Sequence, residues 1–334
     1  MSAELHGHTA ILDGFAGTLT LDPNEQMLAE ATAKIAAQQA QREALRQLVS
    51  APSVTQDGHS IRLYANIAGT DDLPLLQESG AEGVGLLRSE FLYLGRSTYP
   101  TEDELFESYK TIVQAMDGRE IIIRTLDIGA DKQADYFDMP PEDNPALGLR
   151  AIRLCLTRPI LFQTQLCAIL RASRYGNVGV MFPMVTGPDE LHRLKQALAD
   201  AEDVLIARGE RFGPYRIGVM IETPAAVFMS GELAGEVDFF SIGTNDLTQY
   251  LLAMDRQNPN LAPFCDPHHP AILRAIRHTV ECAHQARCSV GICGELAADE
   301  DLTEAFLRMG VDELSVAPAR ILPLRQKIRS LTLG

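Results

Sequence analysis

The chain has 334 residues, of which 46% are hydrophobic and 22% charged, a composition that supports a sizeable core and excludes disorder as the default. Acidic residues outnumber basic ones by 45 to 29, and the formal net charge of -16 excludes nucleic acid or an anionic membrane as the main partner. An anionic small molecule stays compatible with this charge, because a few clustered arginines can form a local positive pocket. The longest apolar runs are far shorter than the ~20 residues of a membrane-spanning helix, so membrane insertion is not expected.

The N-terminal part of the chain predicts two short strands and one long helix. Residues 10–14 and 18–21 are strand-like runs separated by a turn that contains glycine. Asp22 and Pro23 then suit the N-cap and the first helical position. Residues 24–49 are rich in strong helix formers and carry a thin apolar face, which predicts a long helix. We interpret this helix as a linker arm, and an ordinary surface helix of the main domain is the alternative.

From residue 60 onward, short β-branched runs alternate with longer stretches of helical periodicity. Eight strands are predicted, at residues 61–67, 83–87, 121–126, 178–184, 217–221, 237–242, 289–292 and 313–316. This alternation requires parallel strands joined by crossover helices, and eight repeats are the count of a (β/α)8 barrel. The alternative is a doubly wound open sheet, but no dinucleotide fingerprint or P-loop accompanies the strands. The expected fold class is therefore α/β, as a (β/α)8 TIM barrel.

Polar residues follow the ends of five predicted strands, where barrels of this kind carry their chemistry. Arg88 and Arg124 present guanidinium forks that suit phosphate and carboxylate groups. Glu222 and Asp246 offer hard carboxylate oxygens, which suit Mg²⁺ completed by water and substrate, and salt bridges to the nearby arginines are the alternative. Cys293 could be a nucleophile, a proton donor or a small core residue.

The six cysteines include no CxxC pair, and in a chain of this size without a secretory signal they are predicted to be free thiols. The N-terminus also has no basic region before an apolar run, so a secretory signal is not expected. A reducing cytoplasm is therefore the expected location of the chain.

Five sequence runs occur in an order that resembles a known family. They are GVGLLRSEFL at 83–92, RTLDIG at 124–129, MIETPAA at 220–226, DFFSIGTNDLTQY at 238–250 and CGELA at 293–297. Together they resemble enzyme I of the bacterial sugar phosphotransferase system, the phosphoenolpyruvate-protein phosphotransferase family. The resemblance covers the C-terminal phosphoenolpyruvate-binding domain and the arm before it. Pyruvate phosphate dikinase and phosphoenolpyruvate synthase share this barrel, but the last residues of the third run and the fifth run fit enzyme I better.

The resemblance implies a role for each polar residue named above and for two others. Arg88, Arg124 and Arg256 hold the phosphate and carboxylate of phosphoenolpyruvate, Asn245 positions the phosphate, Asp246 belongs to the substrate site and ligates Mg²⁺ together with Glu222, and Cys293 protonates the enolate carbon when pyruvate forms. Physical chemistry supports this division, because phosphoryl transfer is catalysed mostly by cations and positioning. The enolate left by that transfer then needs a proton at carbon, which a nearby thiol can supply.

The resemblance also implies partners outside the barrel. In the family, the phosphoryl group passes to a His on a separate N-terminal domain and then to a small His-containing phosphocarrier protein, and the barrel domain forms a homodimer. Residues 1–22 resemble the last strands of that N-terminal domain, residues 23–51 the linker helix and residues 52–334 the barrel. His8 has a setting similar to that of the acceptor His, but it lies too close to Pro23, so we expect it not to be the acceptor. Ala130 stands where the family usually has Gly, a change that we expect to be tolerated.

The expected function is therefore transfer of a phosphoryl group from phosphoenolpyruvate to a His on another domain, with release of pyruvate, for sugar uptake. Two alternatives stay open at this point. One is a Mg²⁺-dependent lyase or aldolase that handles an enolpyruvate intermediate on the same barrel. The other is a non-catalytic module that senses phosphoenolpyruvate.

Overall fold

The structure, a computed structural model, describes residues 7–14, 16–129 and 135–334. The chain divides into two compact units, Met1–Ala51 and Pro52–Gly334. Ala130, at which the sequence departs from the family pattern, lies outside the described residues.

The first unit contains a β-hairpin and one long helix. Strand β1 (Ala10–Asp13) pairs antiparallel with β2 (Thr18–Leu21), and helix α1 spans Glu25–Arg46. The helix begins later than predicted because Asn24 is its N-cap, and the Asn24 side chain accepts the backbone N–H of Met27 at 2.8 Å. Asp22 instead has a positive φ of 46°. His8 lies 2.5 Å from the Asp22 carboxylate. The assignments of residues 1–22 to the last strands of the N-terminal acceptor domain and of residues 23–51 to the linker helix stay predictions.

Eight parallel strands of the second unit close into a barrel. They are β3 (Arg62–Ile67), β4 (Gly83–Arg88), β5 (Ile121–Arg124), β6 (Val178–Phe182), β7 (Tyr215–Ile221), β8 (Phe239–Ile242), β9 (Ser289–Ile292) and β10 (Glu313–Val316). Neighbours around the barrel follow the chain order, and β10 closes the ring by pairing with β3. The predicted (β/α)8 barrel is confirmed. Strand β5 ends before the predicted position because the Leu126 N–H bonds to the Gln165 side chain at 2.9 Å rather than to a neighbouring strand.

Helices alternate with these strands along the chain. The α-helices are α2 (Leu73–Ser79), α3 (Glu102–Ala115), α4 (Ala151–Thr157), α5 (Pro159–Ser173), α6 (Pro188–Ala207), α7 (Pro224–Phe228), α8 (Ser230–Ala234), α9 (Thr244–Leu251), α10 (Pro270–Gln285), α11 (Thr303–Met309) and α12 (Ile321–Ser330). Short 3₁₀ turns occur at Thr70–Asp72, Ser89–Leu92, Asp135–Phe137, Pro145–Leu147, Pro259–Phe264, Glu295–Ala298 and Pro318–Arg320. Several helices begin at a proline, whose missing N–H costs nothing at that position. In the part of the chain that the structure describes, no helix combines the length and apolar character that a membrane crossing requires.

Side chains alternate between two faces along the barrel strands. One face belongs to the main core, as with Leu63, Ala65 and Ile67 of β3. The other face forms a separate apolar cluster inside the barrel, with members Leu86, Ile122, Met181, Met220, Phe239 and Cys293. Arg124 follows Ile122 by two residues on β5, and Glu222, directly after β7, follows Met220 by two residues. The alternation therefore places both charged residues beyond the apolar cluster, at the carboxyl end of the barrel.

Candidate active site

Two of the predicted arginines lie side by side at the carboxyl ends of β4 and β5. Arg88 and Arg124 are the last residues of their strands and are paired in the register of the sheet, where neighbouring strands lie ~4.8 Å apart. Arg124 is buried, whereas Arg88 is half-buried and its guanidinium lies 5.3 Å from the centre of the Phe91 ring. Among the described residues, the buried Nε of Arg88 has no hydrogen-bond partner. Arg88 therefore retains a donor for a ligand.

Six charged side chains form an alternating chain across this end of the barrel. In order of contact they are Glu90, Arg124, Asp127, Arg150, Asp246 and Arg256. The successive nitrogen–oxygen distances are 2.6, 3.1, 3.0, 3.1 and 3.3 Å. All members except Arg256 are buried. We call this arrangement the ion-pair chain, and its alternation of sign lets the fold bury charges that would be very costly alone.

The ion-pair chain keeps Arg124 and Arg150 charged. Burial alone would lower the pKa of Arg124, but Glu90 and Asp127 raise it above its ordinary value. Burial opposes the charged form of Arg150 in the same way, and Asp127 and Asp246 raise its pKa. The Nε atoms of both arginines are buried without a hydrogen-bond partner among the described residues. Buried donors normally find partners, so these atoms are suited to an incoming anion.

Glu222, the predicted metal ligand, lies at the end of β7 and is buried beside the ion-pair chain. Its Oε1 accepts the backbone N–H of Met184 at 2.7 Å. Burial, together with the charges of Asp246 and Asp127, raises the pKa of Glu222 to about 8, although the charges of Arg124 and Arg150 act against this rise. Gly243 makes the close approach possible, because a Cβ at that position would lie 2.8 Å from Glu222 Oε2. Glu222 directly follows β7, and Asp246 lies in the first turn of α9 after the adjacent strand β8, so the two carboxylates lie at the same end of the barrel.

Cys293 and Asn245 complete the set of predicted residues. Cys293 is buried at the end of β9, and burial raises the pKa of its thiol to about 12. The charges of Glu222 and Arg124 both act on that thiol, which places it beside them. Asn245 lies in the first turn of α9, and its Oδ1 accepts the N–H of Glu295 at 2.8 Å. The structure therefore brings every predicted site residue to the carboxyl end of the barrel. Arg124, Asp246 and Arg256 belong to the ion-pair chain, whereas Arg88, Glu222, Asn245 and Cys293 lie outside it.

Sequence reasoning assigned no role to three members of the ion-pair chain. Glu90 and Asp127 follow the ends of β4 and β5 in the sequence. Their sequence positions therefore already indicated the carboxyl end of the barrel. Arg150 lies at the N-cap of α4, far from any strand end. The sequence feature that could have indicated a role for Arg150 is the unusual length of the segment between β5 and α4, because long loops in compact domains are commonly functional.

Among the described residues, no group of three or more His, Cys, Asp or Glu side chains is arranged to hold a metal ion. The six cysteines are free, as predicted.

Comparison with protein families identifies the class to which this site belongs. The family model described as "PEP-utilising enzyme, PEP-binding domain" (PEP, phosphoenolpyruvate) matches residues 42–333. The chain belongs to this family. The sequence is 45% identical over 327 residues to a phosphoenolpyruvate-protein phosphotransferase of Bacillus sp. (strain S), and 44% identical over 328 residues to that of Bacillus subtilis (strain 168). The enzyme I resemblance is confirmed by these matches.

Those alignments cover nearly all of this chain but only part of each relative. Each alignment covers 98% of this chain but 57% and 58% of the two relatives. The chain therefore spans a little more than half the length of the curated relatives that it matches.

Solved structures resemble this member of the PEP-binding-domain family in fold. A malate synthase of Haloferax volcanii, solved as a lead(II) complex, superimposes with a TM-score of 0.52 at 14% identity. The superposition covers 82% of this chain and 74% of the other. Similarity at this level of identity supports the barrel alone.

Proposed function

We propose that the barrel binds phosphoenolpyruvate and transfers its phosphoryl group to a His on a separate N-terminal domain, with release of pyruvate. The ion-pair chain carries this proposal, because it gathers Arg124, Arg150 and Arg256 around one site. Guanidinium groups bind phosphate and carboxylate bidentately, and phosphoenolpyruvate contains both groups. The name shared by the relatives, phosphoenolpyruvate-protein phosphotransferase, supports the same reaction.

In this proposal, Arg88, Arg124, Arg150 and Arg256 bind the phosphate and carboxylate of the substrate, and Asn245 positions the phosphate. Charge spreads over the phosphoryl oxygens during transfer, so fixed guanidinium groups stabilise the transition state more than they would in water. The acceptor imidazole forms a bond to phosphorus as the bond from phosphorus to the enol oxygen breaks. The remaining electron pair stays on the enolate of pyruvate.

Cys293 then supplies the proton that completes pyruvate. Its thiol keeps its proton at neutral pH, because burial raises its pKa to about 12. A protonated thiol beside the ligand can donate to the enolate carbon, and solvent restores the thiol afterwards. This role uses the same burial that would make the residue a poor nucleophile.

Glu222 and Asp246 fit a Mg²⁺ ion, which is part of the proposal. Mg²⁺ prefers oxygen ligands and is commonly held by one or two carboxylates, with water and substrate phosphate in its other positions. The two carboxylates are buried and close enough for the charge of Asp246 to raise the pKa of Glu222, which indicates a site that would accept a cation. When bound, the ion would supply positive charge to the phosphoryl oxygens.

Isothermal titration calorimetry with phosphoenolpyruvate, with and without Mg²⁺, tests the binding part of the proposal. We expect Arg124→Ala to abolish binding and Arg124→Lys, which keeps the charge but loses the fork, to weaken it at least tenfold. Arg216→Lys is the matched control, because Arg216 pairs with Glu120 at 2.6 Å at the opposite end of the barrel. Binding by Arg124→Ala as tight as that of the parent chain would refute the site.

Transfer is tested by mixing the chain with a separately prepared acceptor domain and phosphoenolpyruvate labelled in the phosphate. We expect label on the acceptor His and equimolar pyruvate. Turnover of a 2-oxo acid without the acceptor domain would instead support a lyase or aldolase. Binding without any transfer would support a sensing module.

The wider assembly is also proposed rather than observed. We infer from the enzyme I relatives that the acceptor domain passes the phosphoryl group to a His-containing phosphocarrier protein, that the barrel forms a homodimer and that the protein acts in the cytoplasm. Sedimentation analysis tests the dimer.

A further inference from the structure

Helix α9 carries two side chains that lie next to the ion-pair chain and have no role in the proposed function. Gln249 and Tyr250 follow Asp246 by three and four residues, so the three side chains lie on one side of the helix. Gln249 is buried and Tyr250 is half-buried. Both residues therefore lie beside the carboxylate that pairs with Arg150 and Arg256.

Gln249 and Tyr250 each form hydrogen bonds that involve a different arginine of the ion-pair chain. The Tyr250 hydroxyl accepts a hydrogen bond from Nη1 of Arg150 at 3.1 Å and donates one to the carbonyl of Ala146. Oε1 of Gln249 accepts the backbone N–H of Arg256 at 3.1 Å. One contact thus fixes a guanidinium directly, and the other fixes the backbone from which a guanidinium projects.

A cavity of about 680 Å³ lies against both contacts. Its walls include two loop segments, residues 143–147 and 253–257, together with Arg150, Gln249 and Tyr250. Tyr250 joins the first loop segment to the ion-pair chain through Ala146, and Gln249 joins the second through Arg256. The two residues therefore connect the loop segments that line the cavity to the ion-pair chain.

We propose that Gln249 and Tyr250 are positioning residues for the two arginines, Tyr250 by orienting Arg150 and Gln249 by holding the segment of Arg256. The proposal rests on the proposed function, because the effect of both residues on phosphoenolpyruvate passes through those arginines. Arg150 and Arg256 contact the bound substrate in the ground state as well as in the transition state. Misalignment therefore weakens the binding of both states and raises KM more than it lowers kcat. A hydrogen bond to a charged group is strong enough to change affinity roughly tenfold.

The first test is Tyr250→Phe, which removes the hydroxyl and keeps the ring. KM and kcat for phosphoenolpyruvate are measured with a separately prepared acceptor domain, and Kd by calorimetry. We expect KM and Kd to rise roughly tenfold and kcat to change less than about twofold. Tyr215→Phe is the matched control, because its hydroxyl donates to Glu202 at 2.9 Å at the start of β7. Equal behaviour of the two variants would overturn the role of Tyr250.

Double-mutant cycles separate positioning from a general loss of structure. Tyr250→Phe should cost little further affinity in an Arg150→Lys background, and Gln249→Met should cost little further affinity in an Arg256→Ala background. Additive losses in both cycles would overturn the proposal. If the parent chain binds phosphoenolpyruvate but the single variants are silent, only the positioning proposal fails. If the parent chain neither binds nor transfers, the proposed function fails and the positioning proposal fails with it.

Discussion

We predict that the free energy of unfolding of the barrel depends on pH through Glu313, and that substitution of this residue removes the dependence. It is the first residue of β10, and its side chain is buried inside the barrel, where a Cβ at Gly291 would lie 3.3 Å from its Oε1. Burial raises the pKa of Glu313 to about 8, and the acidic neighbours Glu120 and Asp312 act in the same direction. Arg62 and Arg216 lower that pKa without cancelling the effect of burial.

The sign and size of the effect follow from linkage. The carboxyl titrates at 4.5 in the unfolded chain and at about 8 in the folded barrel, so between these values only the folded state holds the proton. The stabilisation is complete below pH 4.5 and is lost as the pH rises through 8. One bound proton changes the free energy of unfolding by about 1.4 kcal/mol per pH unit, so the loss across the whole interval approaches roughly 5 kcal/mol.

Urea unfolding followed by circular dichroism measures this loss, since the chain has no Trp to report by fluorescence. Glu313→Gln keeps the shape of the protonated acid but cannot titrate. We expect the stability of the parent relative to this variant to fall by about 1 kcal/mol per pH unit between roughly pH 5 and pH 8. Glu107→Gln, at an exposed carboxylate paired with Lys110, is the control for the same substitution at the protein surface. A difference between parent and Glu313→Gln that does not change with pH would refute the reasoning.

Three further predictions concern the site. Cys293→Ala should bind phosphoenolpyruvate normally but lose exchange of solvent deuterium into the methyl group of pyruvate, measured by NMR. Gly294→Ala should destabilise the barrel by about 1–3 kcal/mol and weaken binding, because its Cβ would lie 2.6 Å from the backbone nitrogen of Thr244; thermal unfolding and calorimetry measure both. Glu90→Gln should weaken calorimetric binding several-fold, although it removes a negative charge 2.6 Å from Arg124.

The barrel could be predicted from the sequence because each element carries its own signal. Buried parallel strands are continuous β-branched runs, as at Ile121–Arg124, and the helices between them show apolar residues at helical spacing. Strand ends were less certain, since they depend on partners elsewhere in the chain. For example, the Gln165 side chain that accepts the Leu126 N–H belongs to α5, so the sequence around β5 does not indicate this contact.

The candidate site could be predicted in part for the same reason. Arg88, Arg124 and Glu222 end strands, and all strands of a parallel barrel end on the same side. Arg150 precedes a helix after a long segment, so only the folded chain brings it between Asp127 and Asp246. The charged cluster around Glu313 at the opposite end of the barrel was not anticipated either. Charged residues at the start of a strand are usually solvated, and closure of the barrel is what buries this one.

The ion-pair chain explains why acidic residues line a site that is proposed to bind an anion. If charge alone decided affinity, Glu90 and Asp127 would oppose phosphoenolpyruvate, and selection for binding would favour their loss. Their contacts at 2.6 and 3.1 Å instead hold the Arg124 guanidinium in one orientation before the ligand arrives. The entropy of ordering that long side chain is then lost on folding rather than on binding. Orientation of the donors therefore outweighs the added repulsion. A guanidinium in the wrong orientation loses both of its hydrogen bonds to phosphate, whereas the charges of the buried carboxylates are balanced by the arginines that they contact.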